Sequence, residues 1–118
     1  MPTTKEQITK IIKTLGIPAN LKGYQYLRYT IELLLTENNK YDTIMQLYRK
    51  TGNALNVTVQ NVERNIRHAI HAGWIRADKT FIQELFGNTI NTENEFPTNS
   101  EFIYTIADYI TEQQENTK

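Results

Sequence analysis

No cysteine occurs among the 118 residues, which removes disulfide frameworks, thiol nucleophiles and thiolate metal sites in one step. No apolar run approaches the roughly 18 residues of a membrane span, and Met1-Pro2-Thr3-Thr4-Lys5-Glu6 lacks the apolar core of a signal peptide. A soluble, cytoplasmic protein without membrane contact is the expectation. A Gly-rich phosphate loop, a Ser-His-Asp arrangement and a paired-carboxylate motif are also missing, so neither an enzyme nor a cofactor is expected. His68 and His71 stand three apart, but a metal would need a third ligand. Glu63 and Arg64 beside them suit base and phosphate contacts, and no metal is expected.

Net charge is absent too, yet its arrangement is uneven. Met1 to Arg76 holds 11 Lys or Arg against 5 acids, a balance of +6, while Ala77 to Lys118 holds 2 Lys against 8 acids, a balance of −6. A basic part followed by an acidic part fits a polyanion on one side and a different contact, with protein, on the other. The length fits one domain over residues 1–118, able to bury roughly two-thirds of its unfolded surface. No internal repeat, low-complexity tract or linker divides it.

The stretch around which the rest is arranged runs from Ala54 to Ile70 and reads as a helix end, a turn at Asn56-Val57-Thr58, and a second helix over about 59–73. Thr58 is placed to accept from the free N–H groups of that helix as its N-cap. Val57 before the cap and Val62 at the fourth helical position form a hydrophobic staple that sets the angle of approach. At about 100° per residue, Val62, Ile66, Ala69, Ile70 and Gly73 share a narrow inward face. Gln60, Arg64, Arg67 and His71 lie opposite, with Asn61 and His68 on one flank and Glu63 on the other. These types suit base edges: Arg bonds guanine bidentately, Gln and Asn bond adenine, and Glu accepts from the cytosine amino group. The bland alternative is an amphipathic helix whose outer face is merely solvated; the cap, staple and preceding helix end favour DNA.

Elsewhere, Thr4 with Gln7 or Thr3 with Glu6 offers a capping box ahead of a short helix carrying Ile8, Ile11, Ile12 and Leu15, stopped by Gly16 and Pro18. A second helix spans Leu21 to Thr36 with Leu27, Ile31, Leu34 and Leu35 inward and Tyr26 and Tyr29 at its margins; these tyrosines serve packing rather than a cofactor box. Asp42 or Asn39 is the candidate cap for the next helix, which Thr51-Gly52 is expected to kink or divide. Trp74 to Asp78 follows the second helix of the turn motif. Phe81, Ile82, Leu85 and Phe86 make a two-turn helix ended by Gly87. Residues 88–97 read as a surface loop or a short hairpin around Thr89-Ile90. Thr98 and Glu101 start a last helix with Phe102, Ile103, Ile106, Ala107, Tyr109 and Ile110 inward, and Thr111 to Lys118 is expected to fray. The fold class is therefore all-α, a bundle of about six helices containing a helix-turn-helix.

Several ordered stretches carry a resemblance. Leu15-Gly16-Ile17-Pro18-Ala19, Lys22-Gly23-Tyr24, Tyr26-Leu27-Arg28, Val62-Glu63-Arg64, Ile66-Arg67-His68-Ala69-Ile70, Trp74, Leu85-Phe86-Gly87 and Pro97-Thr98-Asn99-Ser100-Glu101-Phe102-Ile103 are similar to the C-terminal DNA-binding effector domains of the sporulation-initiation response regulators of endospore-forming Firmicutes. The resemblance covers nearly the whole chain. It implies a helical domain that binds a short asymmetric element on double-stranded DNA, often as tandem copies, and controls transcription. In that family an Arg, a Glu and an Arg of the recognition helix contact bases; the last two match Glu63 and Arg64, whereas Asn61 stands at the first, where Asn suits adenine better than guanine. Arg67 and His68 match positions near the DNA backbone. Phe81, Gln83 and Phe86, with the segment after them, resemble the surface for the sigma subunit of RNA polymerase.

An effector domain without the family's receiver domain, either excised or freestanding, is the expectation. The rival reading is a helical protein-interaction module, such as an anti-activator that kept the fold and lost specific DNA binding; Asn61 and the neutral net charge motivate it.

Overall fold

Residues 2–37, 42–87 and 96–116 are described in a computed structural model of the chain. Helix α1 (Thr4–Thr14) begins at a capping box in which the Thr3 hydroxyl accepts from the Glu6 N–H and the Glu6 carboxylate accepts from the Thr3 N–H, so Thr3 rather than Thr4 is the cap. Gly16, at φ +79°, turns the chain away, and its missing side chain leaves room for the Gly73 carbonyl, which a Cβ would approach to 2.8 Å. Helix α2 (Lys22–Thr36) starts one residue later than the apolar pattern predicts, with Leu21 as its uncharged N-cap. Tyr26 is buried rather than marginal, while Leu35 is only partly buried.

Helix α3 (Ile44–Leu55) is capped by Thr43, not by Asp42; the other candidate, Asn39, lies outside the described residues. The reason is local: only Thr43 has a Gln three residues on, and the Gln46 side chain completes a capping box. Asp42 instead pairs with Lys50 at 2.6 Å. Thr51-Gly52 does not break the helix. Gly52 is buried, and a Cβ there would lie 2.6 Å from the Val57 carbonyl, so the glycine permits the turn after the helix to fold back on it.

Helix α4 (Val59–Arg76) runs through Trp74, Ile75 and Arg76, three residues beyond the sequence reading. Trp74 lies edge-on to Phe86 at 5.1 Å, and that contact extends the inward face past Gly73. Helix α5 (Lys79–Phe86) is capped by Asp78, whose carboxylate accepts from the Thr80 and Phe81 N–H groups. Helix α6 (Asn99–Asn116) begins at the expected Thr98–Glu101 capping box. It does not fray at Thr111: the Gln114 amide donates to Thr4 and Gln7, tying the last turn to α1. The hairpin proposed around Thr89-Ile90 lies outside the described residues.

Six helices and no strand occur among the described residues, an all-α bundle. Its core is filled by Ile8, Ile12, Leu27, Ile31, Leu47, Ile66, Phe86, Phe102 and Ile106, contributed by every helix from α1 to α6. At the crossing of α2 and α3, where an apolar pair would be ordinary, the Thr30 and Thr51 hydroxyls share a buried hydrogen bond of 2.8 Å. Each supplies the other's partner in a place water does not reach.

Candidate nucleic-acid interface

Between α3 and α4 the chain makes a three-residue turn. Asn56 takes the left-handed conformation, φ 59° and ψ 48°, which Asn tolerates better than most residues because its short polar side chain bonds locally. The Val57 N–H then donates to the Gly52 carbonyl at 2.9 Å, closing the end of α3. One residue later the Thr58 hydroxyl accepts from the Asn61 N–H at 3.0 Å, which is the N-cap read from the sequence. Val57 is partly and Val62 fully buried, as a staple requires. Helix end, turn and helix start are thus each fixed by their own residues.

The inward face of α4 consists of Val62, Ile66, Ala69, Ile70 and Gly73, the same five residues that the helical period selects. Gln60, Arg64, Arg67 and His68 are exposed. Arg64 projects from the middle of this outer face with no ion partner among the described residues. Arg67 instead forms an ion pair with Glu63, one turn earlier on the same helix. The pair holds the Glu63 carboxylate in place and compensates part of the Arg67 charge. His71 is less open than the sequence implies, being half-buried and stacked on Phe96 at 4.2 Å between ring centres. A groove of about 430 Å³ runs beside Arg67 and His71 toward Pro97 and Ser100.

Two residues that pattern analysis passes over hold this face in position. Asn99, buried at the start of α6, donates from its amide both to the Glu63 carbonyl and to the Tyr48 hydroxyl, each at 3.0 Å. One side chain thereby joins α6, α4 and α3 next to Glu63. Burial raises the Tyr48 phenol above its usual pKa, while the bond from Asn99 acts in the opposite direction. Nothing local in the sequence marks Asn99, since its partners stand 36 and 51 positions away. The second is Asn65, whose amide donates to the Asn61 carbonyl at 2.8 Å and also to the Asn61 side-chain oxygen. Its spacing of four from Asn61 was the signal available.

The residues assigned to a polymerase contact are dispersed in depth. Gln83 is exposed and Phe81 partly buried, with its ring edge-on to Tyr109 at 6.3 Å. Phe86 is fully buried between Trp74 and Phe102. It offers no surface to a partner and instead supports α5 from beneath, a correction to the sequence reading, in which its position on a short helix left its depth open. No helix among the described residues is long and apolar enough to cross a membrane. Comparison with known protein families finds that residues 8–110 match the model described as "Sporulation initiation factor Spo0A C terminal".

Proposed function

Because the chain belongs to the Spo0A C-terminal family, and so is a DNA-binding domain of a sporulation transcription factor and not an enzyme, we propose that it reads a specific double-stranded sequence with α4 lying in the major groove. The observation that carries this reading is the division of α4: five residues buried in an unbroken inward face, and Gln60, Arg64, Arg67 and His68 exposed along the other side behind a capped three-residue turn.

Arg64 takes the central role, two parallel donors to guanine, since it is exposed and unpaired among the described residues. Gln60 and Asn61 contribute further base contacts. Glu63 accepts from cytosine, its carboxylate pre-positioned by Arg67. Thr58, Arg67 and His68 meet flanking phosphates, and His71, half covered by Phe96, takes the outermost such contact. On another face, Gln83 and Phe81 are assigned to the sigma subunit of RNA polymerase, and tandem copies on DNA follow from the family resemblance. The acidic balance after Ala77 supports a protein rather than a nucleic-acid partner for the α5 face.

Titrating labelled duplexes by fluorescence anisotropy between roughly 50 and 200 mM salt tests the reading, because phosphate contacts release counterions and give a steep log-log slope. A selected sequence should bind far more tightly than a scrambled one. Absence of any shift at the lowest salt would overturn DNA reading by α4 and leave the helical protein-interaction module.

A further inference from the structure

An asparagine amide carries a donor on one arm and an acceptor on the other, and which base it reads depends on which arm faces the groove. On α4 that choice is made by a neighbour. The Asn65 side chain reaches back one turn and places its nitrogen 2.8 Å from the Asn61 backbone carbonyl. A carbonyl only accepts, so the Asn65 atom at that point must be its NH2 group. The same nitrogen also contacts the side chain of Asn61, and the atom it meets there must again be an acceptor, the Asn61 oxygen. The backbone carbonyl, which can only accept, thus fixes the orientation of both amides in turn.

We propose that Asn65 holds the Asn61 amide with its oxygen turned inward, so that Asn61 offers only N–H donors to DNA and selects guanine, not adenine, at the base it meets. Guanine presents two acceptors in the major groove, N7 and O6, whereas adenine presents one acceptor beside an amino donor. Bidentate adenine recognition needs the Asn61 oxygen to point outward, and in this structure it is committed to Asn65. The free oxygen lone pair does not change this, because it lies on the same inward-turned arm. Asn65 is a positioning residue: it is partly buried, on the flank of α4 facing α2, where its own carbonyl lies against Gly23. The inference rests on α4 being the reading helix and specifies what one of its side chains reads; it replaces the adenine preference expected from an unconstrained Asn.

The test uses the full chain in a randomised-site selection followed by anisotropy titrations of duplexes that differ only at the base position that responds to Asn61→Ala. The wild type should prefer guanine over adenine there by about tenfold, the order expected of one good base contact. Asn65→Ala, which removes the tether and raises helix propensity, should bring the two bases to within about threefold by freeing the amide to rotate. Nitrogen-15 NMR of the free protein gives a readout that does not depend on DNA: the Asn65 side-chain NH2 should exchange slowly with water and the Asn61 NH2 quickly. A wild type that selects adenine, an Asn65→Ala variant with an unchanged guanine preference, or specific binding with no position responsive to Asn61→Ala overturns this inference alone. Loss of all sequence-dependent duplex binding in the wild type overturns it together with the reading of α4, and the NMR exchange pattern then reports whether the tether itself exists.

Discussion

Gly23 on α2 lies so close to Asn65 on α4 that a Cβ at position 23 would stand 2.1 Å from the Asn65 carbonyl oxygen and 2.6 Å from the Ala69 Cβ. The two helices therefore cross at a separation that only glycine permits, and this crossing sets how far α4 projects from the bundle. Backbone on one side and a helix-bound methyl on the other leave little room for relaxation. Gly23→Ala should cost about 1–3 kcal/mol or more, the range for overpacking, despite the better helix propensity of Ala. Urea denaturation measures it; a variant as stable as the wild type would mean that α2 and α4 separate freely.

In the proposed reading, Arg64 is the side chain on which specificity depends most. Arg64→Ala should lose about 1–3 kcal/mol of affinity for the selected site and relax selectivity at a single base pair. Because Arg64 forms no ion pair among the described residues, its removal leaves no buried charge, and thermal stability should stay within about 0.5 kcal/mol. Equal weakening on every sequence, accompanied by a smaller salt slope, would reassign Arg64 to a phosphate.

Thr30 and Thr51 lend themselves to a double-mutant cycle. Thr30→Val keeps the shape but leaves the Thr51 hydroxyl without its 2.8 Å partner in the core, and should cost about 1–3 kcal/mol. Replacing both by Val removes the need for a partner and should be less costly than either single change. Additive losses in denaturant titrations would show that another group or water satisfies each hydroxyl.

Local chemistry explains what was legible before any coordinates. The inward face of α4 follows from its period, and the caps at Thr3, Thr58 and Thr98 follow from side chains bonding three residues ahead. At the start of α3 the polar turn draws attention to Asp42 and Asn39, whereas the cap is Thr43, and the residue that decides it is Gln46, which completes the capping box from three positions on. Gly52 does not interrupt the helix as its residue type suggests, because a glycine's reason often lies across space: the Val57 carbonyl, not the helix, demands it. The same holds for Asn99, whose amide serves α3 and α4 from the start of α6, and for Gln114, which holds a polar tail helical by bonding to α1. Helical period marks the faces, whereas the polar bonds that set one face against another join residues far apart in the chain and leave no local mark.

Tyr48 links the interface to alkaline pH. Its phenol is buried against Asn99, and burial raises its pKa above the usual value of about 10. Tyr104, whose hydroxyl donates to the Asp42 carbonyl, is raised for the same reason, with the Asp42 carboxylate adding to it. A raised pKa in the fold means that the native state holds its proton while the unfolded chain releases it. Stability from these groups is therefore complete below about pH 10 and declines as pH rises through the folded values. Tyr48→Phe should be less stable at neutral pH, since Asn99 loses one of its acceptors, yet should lose less further stability between about pH 10 and 11 than the wild type. Denaturant midpoints of both proteins across that interval measure the difference. Parallel declines would mean that the Tyr48 proton is not held by the fold and that the Asn99 junction admits water.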